Sequence, residues 1–256
     1  MDFDAIIKEA LEVLKSGGLI LYPTDTVWGI GCDACNEEAV QKVFALKRRS
    51  GAKSLVLLAS DLDMVARYVR KIPPMAVDLV EVNDAPMTIV YPGAVVAGDS
   101  AGVAGSASAG QQQASGASPL AQLHNRSAIP ISLGGNSGRL GSFGLAPSVV
   151  AEDGSVGIRI PRAAAAEGDR DVSAGGVFCN RLIYRFRRPV VSTSANISGE
   201  ETPARFEDIS EEIRSGVDYV VPPAVSRLGR FDDDATGRPS QIIRLGLDGE
   251  VEIIRQ

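Results

Sequence analysis

Cationic and hydroxyl-bearing residues gather in a few short segments of this chain. Lys42, Lys47, Arg48, Arg49 and Lys53 crowd into one stretch. The spacing Lys47-x-Arg49-x-x-x-Lys53 puts three cations on a turn leading into an apolar run. An Arg supplies a bidentate fork and a Lys a point charge, a grip suited to a polyphosphate. Cations are also favoured at a helix C-terminus by the backbone dipole, so position alone does not separate the two readings. The segment Tyr22-Pro23-Thr24-Asp25-Thr26-Val27-Trp28-Gly29 follows an apolar strand pattern. Hydroxyls and a carboxylate there fit a turn, and also the strand-end position where open α/β sheets bind ligands. Ser192-Thr193-Ser194-Ala195-Asn196-Ile197-Ser198-Gly199 follows a second apolar pair, Val190-Val191. It reads as a turn, or as a row of hydroxyl and amide groups facing a nucleotide. No base stands beside these serines to make one a nucleophile.

Other motifs are weaker. Cys32-Asp33-Ala34-Cys35 is a lone CxxC, half of a four-thiolate zinc site and more simply two buried thiols. The one histidine, His124, lies in a low-complexity stretch and reads as solvated. Gly135 to Gly141 matches a glycine-rich fingerprint without the flanking strand and helix that a dinucleotide site requires. No P-loop pattern occurs.

The elements that must position these groups alternate helix and strand through the first third. Asp4 is a candidate cap for a helix with Ile6, Ile7, Ala10, Leu11 and Leu14 on one face, ended by Gly17-Gly18. Leu19 to Tyr22 reads as a strand stopped by Pro23. Asn36 opens a second helix with Val40, Val43, Phe44 and Leu46 inward. Leu55 to Ala59 is the next strand, Ser60 the cap of a third helix, and Pro73-Pro74 the start of a fourth. Further strands are read at Met87 to Tyr91, Ser155 to Ile160, Pro189 to Thr193 and Asp218 to Val221. Helices are read at Leu182 to Phe186 and Phe206 to Arg214. Gln241 to Leu245 and Val251 to Ile254 flank the hairpin signal Asp248-Gly249. The rhythm predicts an α/β sheet packed by helices. Two pieces break it. From Ala94 to Ser118 the chain is almost all Ala, Gly, Ser, Gln and Val, and residues 94–142 and 162–176 read as flexible insertions in a single domain spanning 1–256.

Composition narrows the class. The 256 residues are 45% hydrophobic and 23% charged, which excludes a collagen, a coiled coil or a wholly disordered chain. No apolar run approaches the roughly 18 residues that span a bilayer. The acidic start Met1-Asp2-Phe3-Asp4 is unlike a basic export signal, so no membrane and a cytoplasmic location are expected. The net charge of −6 is unlike that of a chain that wraps nucleic acid, so any such contact must come from a local cluster.

Taken in order, several segments resemble the threonylcarbamoyl-AMP synthases, the YrdC-like family. They are Tyr22 to Gly31, Lys47-Arg48-Arg49 through Leu55, Val156-Gly157-Ile158-Arg159-Ile160-Pro161, Val191 to Asn196, Pro239-Ser240-Gln241-Ile242-Ile243 and Arg255. The resemblance implies one twisted α/β domain around a large open cavity. It implies a nucleotidyltransferase that joins L-threonine, bicarbonate or CO2, and ATP with its Mg2+, giving threonylcarbamoyl-adenylate and pyrophosphate. Partner proteins then modify tRNA with the product, and RNA is a possible further ligand. By position, Thr26, Arg159, Ser192 and Ser240 correspond to threonine contacts, Arg159 to the partner of the carboxylate. Lys47, Arg49 and Lys53 correspond to the phosphate grip, with Lys47 and Arg49 catalytic. Ser155, Ser194, Asn196, Thr202 and Arg255 correspond to nucleotide contacts. No resident protein-held metal is implied. Two rivals stay open: a non-catalytic RNA-binding module on the same fold, and a related carbamoyl-adenylating enzyme with another substrate.

Overall fold

The apolar repeat near the N-terminus forms helix α1, Phe3–Lys15, with Ile6, Ile7, Ala10 and Leu14 buried. The helix starts two residues earlier than expected. Asp2 takes the N-cap position, and Asp4 sits in the first turn, paired at 2.7 Å with Arg185. The computed structural model describes residues 2–49, 55–83, 85–98, 144–161, 173–225, 229–233 and 235–256, all of which belong to one compact unit. Helix α2, Glu37–Leu46, is capped by Asn36, whose side chain accepts from the Ala39 amide. Helix α3, Leu62–Tyr68, is capped by Asp61 rather than Ser60, because Asp61 reaches the Met64 amide at 2.7 Å while Ser60 donates to Asp61. Helix α4, Pro74–Val82, begins on its proline as read.

The strands are β1 (Ile20–Tyr22), β2 (Gly29–Gly31), β3 (Val56–Leu58), β4 (Met87–Tyr91), β5 (Val156–Arg159), β6 (Val190–Ser194), β7 (Tyr219–Val220), β8 (Ala224–Val225), β9 (Gly229–Arg230), β10 (Gln241–Leu245) and β11 (Val251–Arg255). Among the described residues, nine of them form one mixed sheet in the order β11-β10-β4-β5-β3-β6-β2-β1-β7. This is the expected α/β architecture. Strand β2 was not expected: Gly-Ile-Gly has little strand propensity, and it exists because β1 and β6 pair with it on both sides.

Register decides which residues share a face. Paired residues project to the same side of a sheet, and the side alternates along each strand. Leu57 pairs with Ile158 and Val191, and Ile158 with Ile89. All four are buried, and burial of such side chains contributes about 1.5–3 kcal/mol each. The other face carries Ser192, Val56, Gly157 and Val90 in one row and Leu58, Arg159, Thr88 and Ile242 in the next. One face is therefore an apolar core and the other bears polar groups among apolar ones.

Helix α5, Ala174–Phe186, starts eight residues before the predicted Leu182. Its first turn falls inside the second predicted insertion, so residues 173–176 are ordered helix and cap. Ser173 accepts from the Gly176 amide, and a Cβ on Gly175 would lie 2.2 Å from the Thr24 carbonyl oxygen. The Gly-Gly pair that read as irregular is there because the helix touches another backbone. The start of the first predicted insertion is also packed. Ala94 is buried and its amide donates to the Gly154 carbonyl, the Val95 amide to the Tyr68 carbonyl, the Ala97 amide to the Leu145 carbonyl and the Leu145 amide to the Val95 carbonyl. The rest of both predicted insertions, with His124 and the Gly135–Gly141 motif, lies outside the described residues. The predicted helix Phe206 to Arg214 is a 3₁₀ turn, Phe206–Asp208, followed by helix α6, Glu211–Ser215, because Ser210 caps a new start. Among the described residues, no helix is long and apolar enough to cross a membrane.

Candidate active site

The polar face has two cationic ends. At the first, β5 ends in Arg159, whose neighbour across β4 is Thr88. Arg159 is 4% exposed. Its Nη1 donates to Asp25 Oδ1, and its Nε has no partner among the described residues. The Thr88 and Ser240 hydroxyls share a hydrogen bond of 2.8 Å. Arg255, the last residue of β11, donates from Nε and Nη2 to the Ser240 carbonyl at 3.0 and 2.6 Å. Partial burial and the nearby Arg159 charge both lower the Arg255 pKa. Two guanidiniums thus approach one another beside two hydroxyls, an environment for an anion.

The Pro23–Trp28 loop completes this end. Thr24 Oγ1 accepts from the Thr26 and Val27 amides at 3.0 and 3.2 Å and is 2.8 Å from Thr26 Oγ1. The strap leading to β10 lies alongside: the Thr236 and Gly237 amides donate to the Asp25 and Thr26 carbonyls. Trp28 is anchored by its Nε1, which donates to Asp232 at 2.6 Å, and by its contact with Phe206.

At the second end, Lys47 follows α2 and is 3% exposed. Its Nζ donates to the carbonyls of Ser194 and Asn196 at 2.5 and 2.7 Å. Burial, aided by the Arg49 charge, lowers its pKa to about 8. Two of its three N–H bonds hold the turn after β6, leaving one for a ligand. Arg49 is half-buried, its pKa also lowered by desolvation, and its side chain has no partner among the described residues. Asn196 braces its own turn by donating to Ile197 and Glu200 carbonyls and accepting from Ser194 Oγ. Thr202 stands half-buried beyond it. Ser192 lies between the two ends on the same face. With strands about 4.8 Å apart, β6 and β5 are separated by roughly 10 Å.

The expected site residues therefore divide. Thr26, Arg159, Ser240 and Arg255 meet at one end, Lys47, Arg49, Ser194 and Asn196 at the other. Ser155 is on the same face, at the opposite end of β5 from Arg159. Its hydroxyl donates to Asp153, which also accepts from Arg244 at 2.6 Å and has its pKa lowered to about 2 by those partners, Ser155 first. These groups line a cleft of about 350 Å³ with Val90, Pro92 and the β10–β11 turn. Lys53 lies outside the described residues. Asp25, Thr24 and Thr88 were not singled out from sequence as site residues. For Thr24 and Asp25 the signal was the run of hydroxyls and a carboxylate at a strand end, where open α/β sheets bind ligands. In the CxxC, burial raises both thiols, Cys35 to about 12 and Cys32 further, so neither is poised as a thiolate. Among the described residues no group of three His, Cys, Asp or Glu could hold a metal ion.

A mixed sheet with a polar face that carries cations at two ends defines the class as an α/β domain, and its family membership is specific. The chain belongs to the Sua5/YciO/YrdC family: the family model, described as telomere recombination, matches residues 12–113 and 139–256. A threonylcarbamoyl-AMP synthase of Hahella chejuensis is 25% identical over 90% of this chain and 95% of its own length. One from Halorhodospira halophila is 37% identical over 87 residues, 34% of this chain and 46% of that protein. The fold matches P. abyssi Sua5, solved in complex with L-threonine, with a TM-score of 0.59 at 20% identity, over 93% of this chain and 50% of that one. The chain thus covers 50% of that solved protein's length and aligns with 46% of the Halorhodospira synthase.

Proposed function

We propose that this protein forms threonylcarbamoyl-adenylate and pyrophosphate from L-threonine, bicarbonate or CO2, and ATP, for tRNA modification by partner proteins. The observation that carries the reading is the pair of anion-seeking ends on one sheet face. The buried Arg159, whose Nε has no partner among the described residues, suits an amino-acid carboxylate. Lys47 and Arg49 suit the phosphates of ATP, which brings Mg2+ as part of the substrate. The names of the curated relatives support the same substrates.

The chemistry asks little covalent work of the protein. The neutral amine of threonine adds to CO2 and loses a proton, giving a carbamate. A carbamate oxygen then attacks the α-phosphorus, and the bond to pyrophosphate breaks. Arg159, assisted by Ser240 and Thr26, fixes the threonine. Lys47 and Arg49 orient the phosphates and offset the charge that develops on the leaving group. Ser192, between the ends, would face the reacting carbamate. No protein nucleophile enters the sequence of steps.

The test mixes the protein with ATP, Mg2+, bicarbonate and L-threonine and seeks the adenylate by mass spectrometry. Product that disappears when threonine is omitted is expected. Folded protein that binds ATP yet gives no adenylate overturns the reading.

A further inference from the structure

The Pro23–Trp28 loop is held on three sides. Thr24 closes it internally, Gly175 of α5 backs onto the Thr24 carbonyl, and the Thr236 and Gly237 amides grip the next two carbonyls. The side chain that this bracing aims is Asp25, 6% exposed. Its contact with Arg159 is single: Oδ1 accepts from Nη1, while Nε is left without a partner among the described residues. A buried pair serving stability alone is best made fork to fork, with every N–H satisfied. A buried N–H left over is costly, and a ligand oxygen placed there relieves the cost. The charges agree. Arg159 and Arg255 contribute +2 and Asp25 contributes −1, and the remaining +1 matches one carboxylate.

We propose that Asp25 is a positioning residue for the amino-acid substrate: it holds the Arg159 guanidinium by Nη1 so that the Nε edge is presented to the substrate carboxylate. This rests on the reading above that Arg159 receives that carboxylate. Asp25 acts through Arg159, and the loop bracing keeps its carboxylate in place before substrate arrives, the condition for preorganised binding.

The experiment measures L-threonine binding by titration calorimetry and KM for threonine and for ATP, on wild type, Asp25→Ala, Asp25→Asn and Asp25→Glu. In Asp25→Ala, threonine affinity falls at least tenfold while the ATP KM stays within about twofold. Asp25→Asn recovers most of the loss, because its amide oxygen still accepts from Nη1. An unchanged threonine affinity, an equal loss for both substrates, or no recovery in Asp25→Asn overturns the proposal. If Asp25→Ala does not fold, Asp25→Glu decides. Its carboxylate keeps the charge but moves the guanidinium, so a fall in threonine affinity with ATP KM unchanged supports positioning. Wild-type affinity in that variant overturns it. Wild-type protein that neither binds threonine nor forms the adenylate refutes the functional reading itself, before any variant is compared.

Discussion

Lys47 gives the site a pH dependence that can be worked through. Its ammonium is buried, and desolvation together with Arg49 lowers its pKa to about 8. The free protein therefore loses this charge across the mildly alkaline range, where an ordinary lysine keeps it. At pH 7 about nine in ten molecules carry the charge, and at pH 9.5, some 1.5 units above the midpoint, about one in thirty. If only the charged form grips phosphate, the Kd for ATP rises about thirtyfold between these values. A contact of about 1.5–3 kcal/mol, the usual worth of a hydrogen bond to a charged group, bounds the effect at roughly 10- to 150-fold, consistent with that figure. The assay is titration of Mg·ATP without threonine at pH 7 to 9.5, so that the threonine amine does not contribute. Lys47→Arg is the control, since a guanidinium does not titrate there. Its affinity is expected to be flat over the range even if weaker throughout. A wild-type Kd that does not change by pH 9.5, or an identical alkaline loss in Lys47→Arg, refutes the assignment of Lys47 to the phosphates.

Further outcomes follow from packing. Gly175→Ala places a Cβ 2.2 Å from the Thr24 carbonyl oxygen, so helix α5 or the loop must move. A loss of about 1–3 kcal/mol in stability is expected, read by thermal denaturation, with weaker threonine binding. An unchanged melting temperature would show the contact to be slack. The Cys32 and Cys35 thiols, raised by burial, should resist iodoacetamide at pH 8 in the folded protein and react quickly in denaturant. Fast labelling of the native chain, read by mass spectrometry, would contradict the buried placement.

The polar face also explains why the cations lie where they do. Lys47 holds the turn after β6 by two carbonyls, so one side chain both builds this end and supplies the cation proposed to meet phosphate. Arg255 does the same at the other end, pinning the Ser240 carbonyl while lying close to Arg159.

Local rules were enough for much of this protein. The caps, apolar periods and strand runs placed α2, α4 and most strands, because those signals act between residues a few positions apart. The ordered series of motifs around Thr26, Lys47, Arg159 and Ser194 carried the family. Tertiary structure alone decided the rest. Strand β2 forms from Gly-Ile-Gly only because neighbours pair with both edges. Helix α5 begins at Ala174, through a Gly-Gly pair that propensity rejects, because Gly175 must meet the Thr24 backbone. Arg159 finds Asp25 across 134 positions of sequence, and Arg255 finds Ser240 through the β10–β11 hairpin. Such partnerships are set by sheet order and register, quantities that no local stretch of residues encodes.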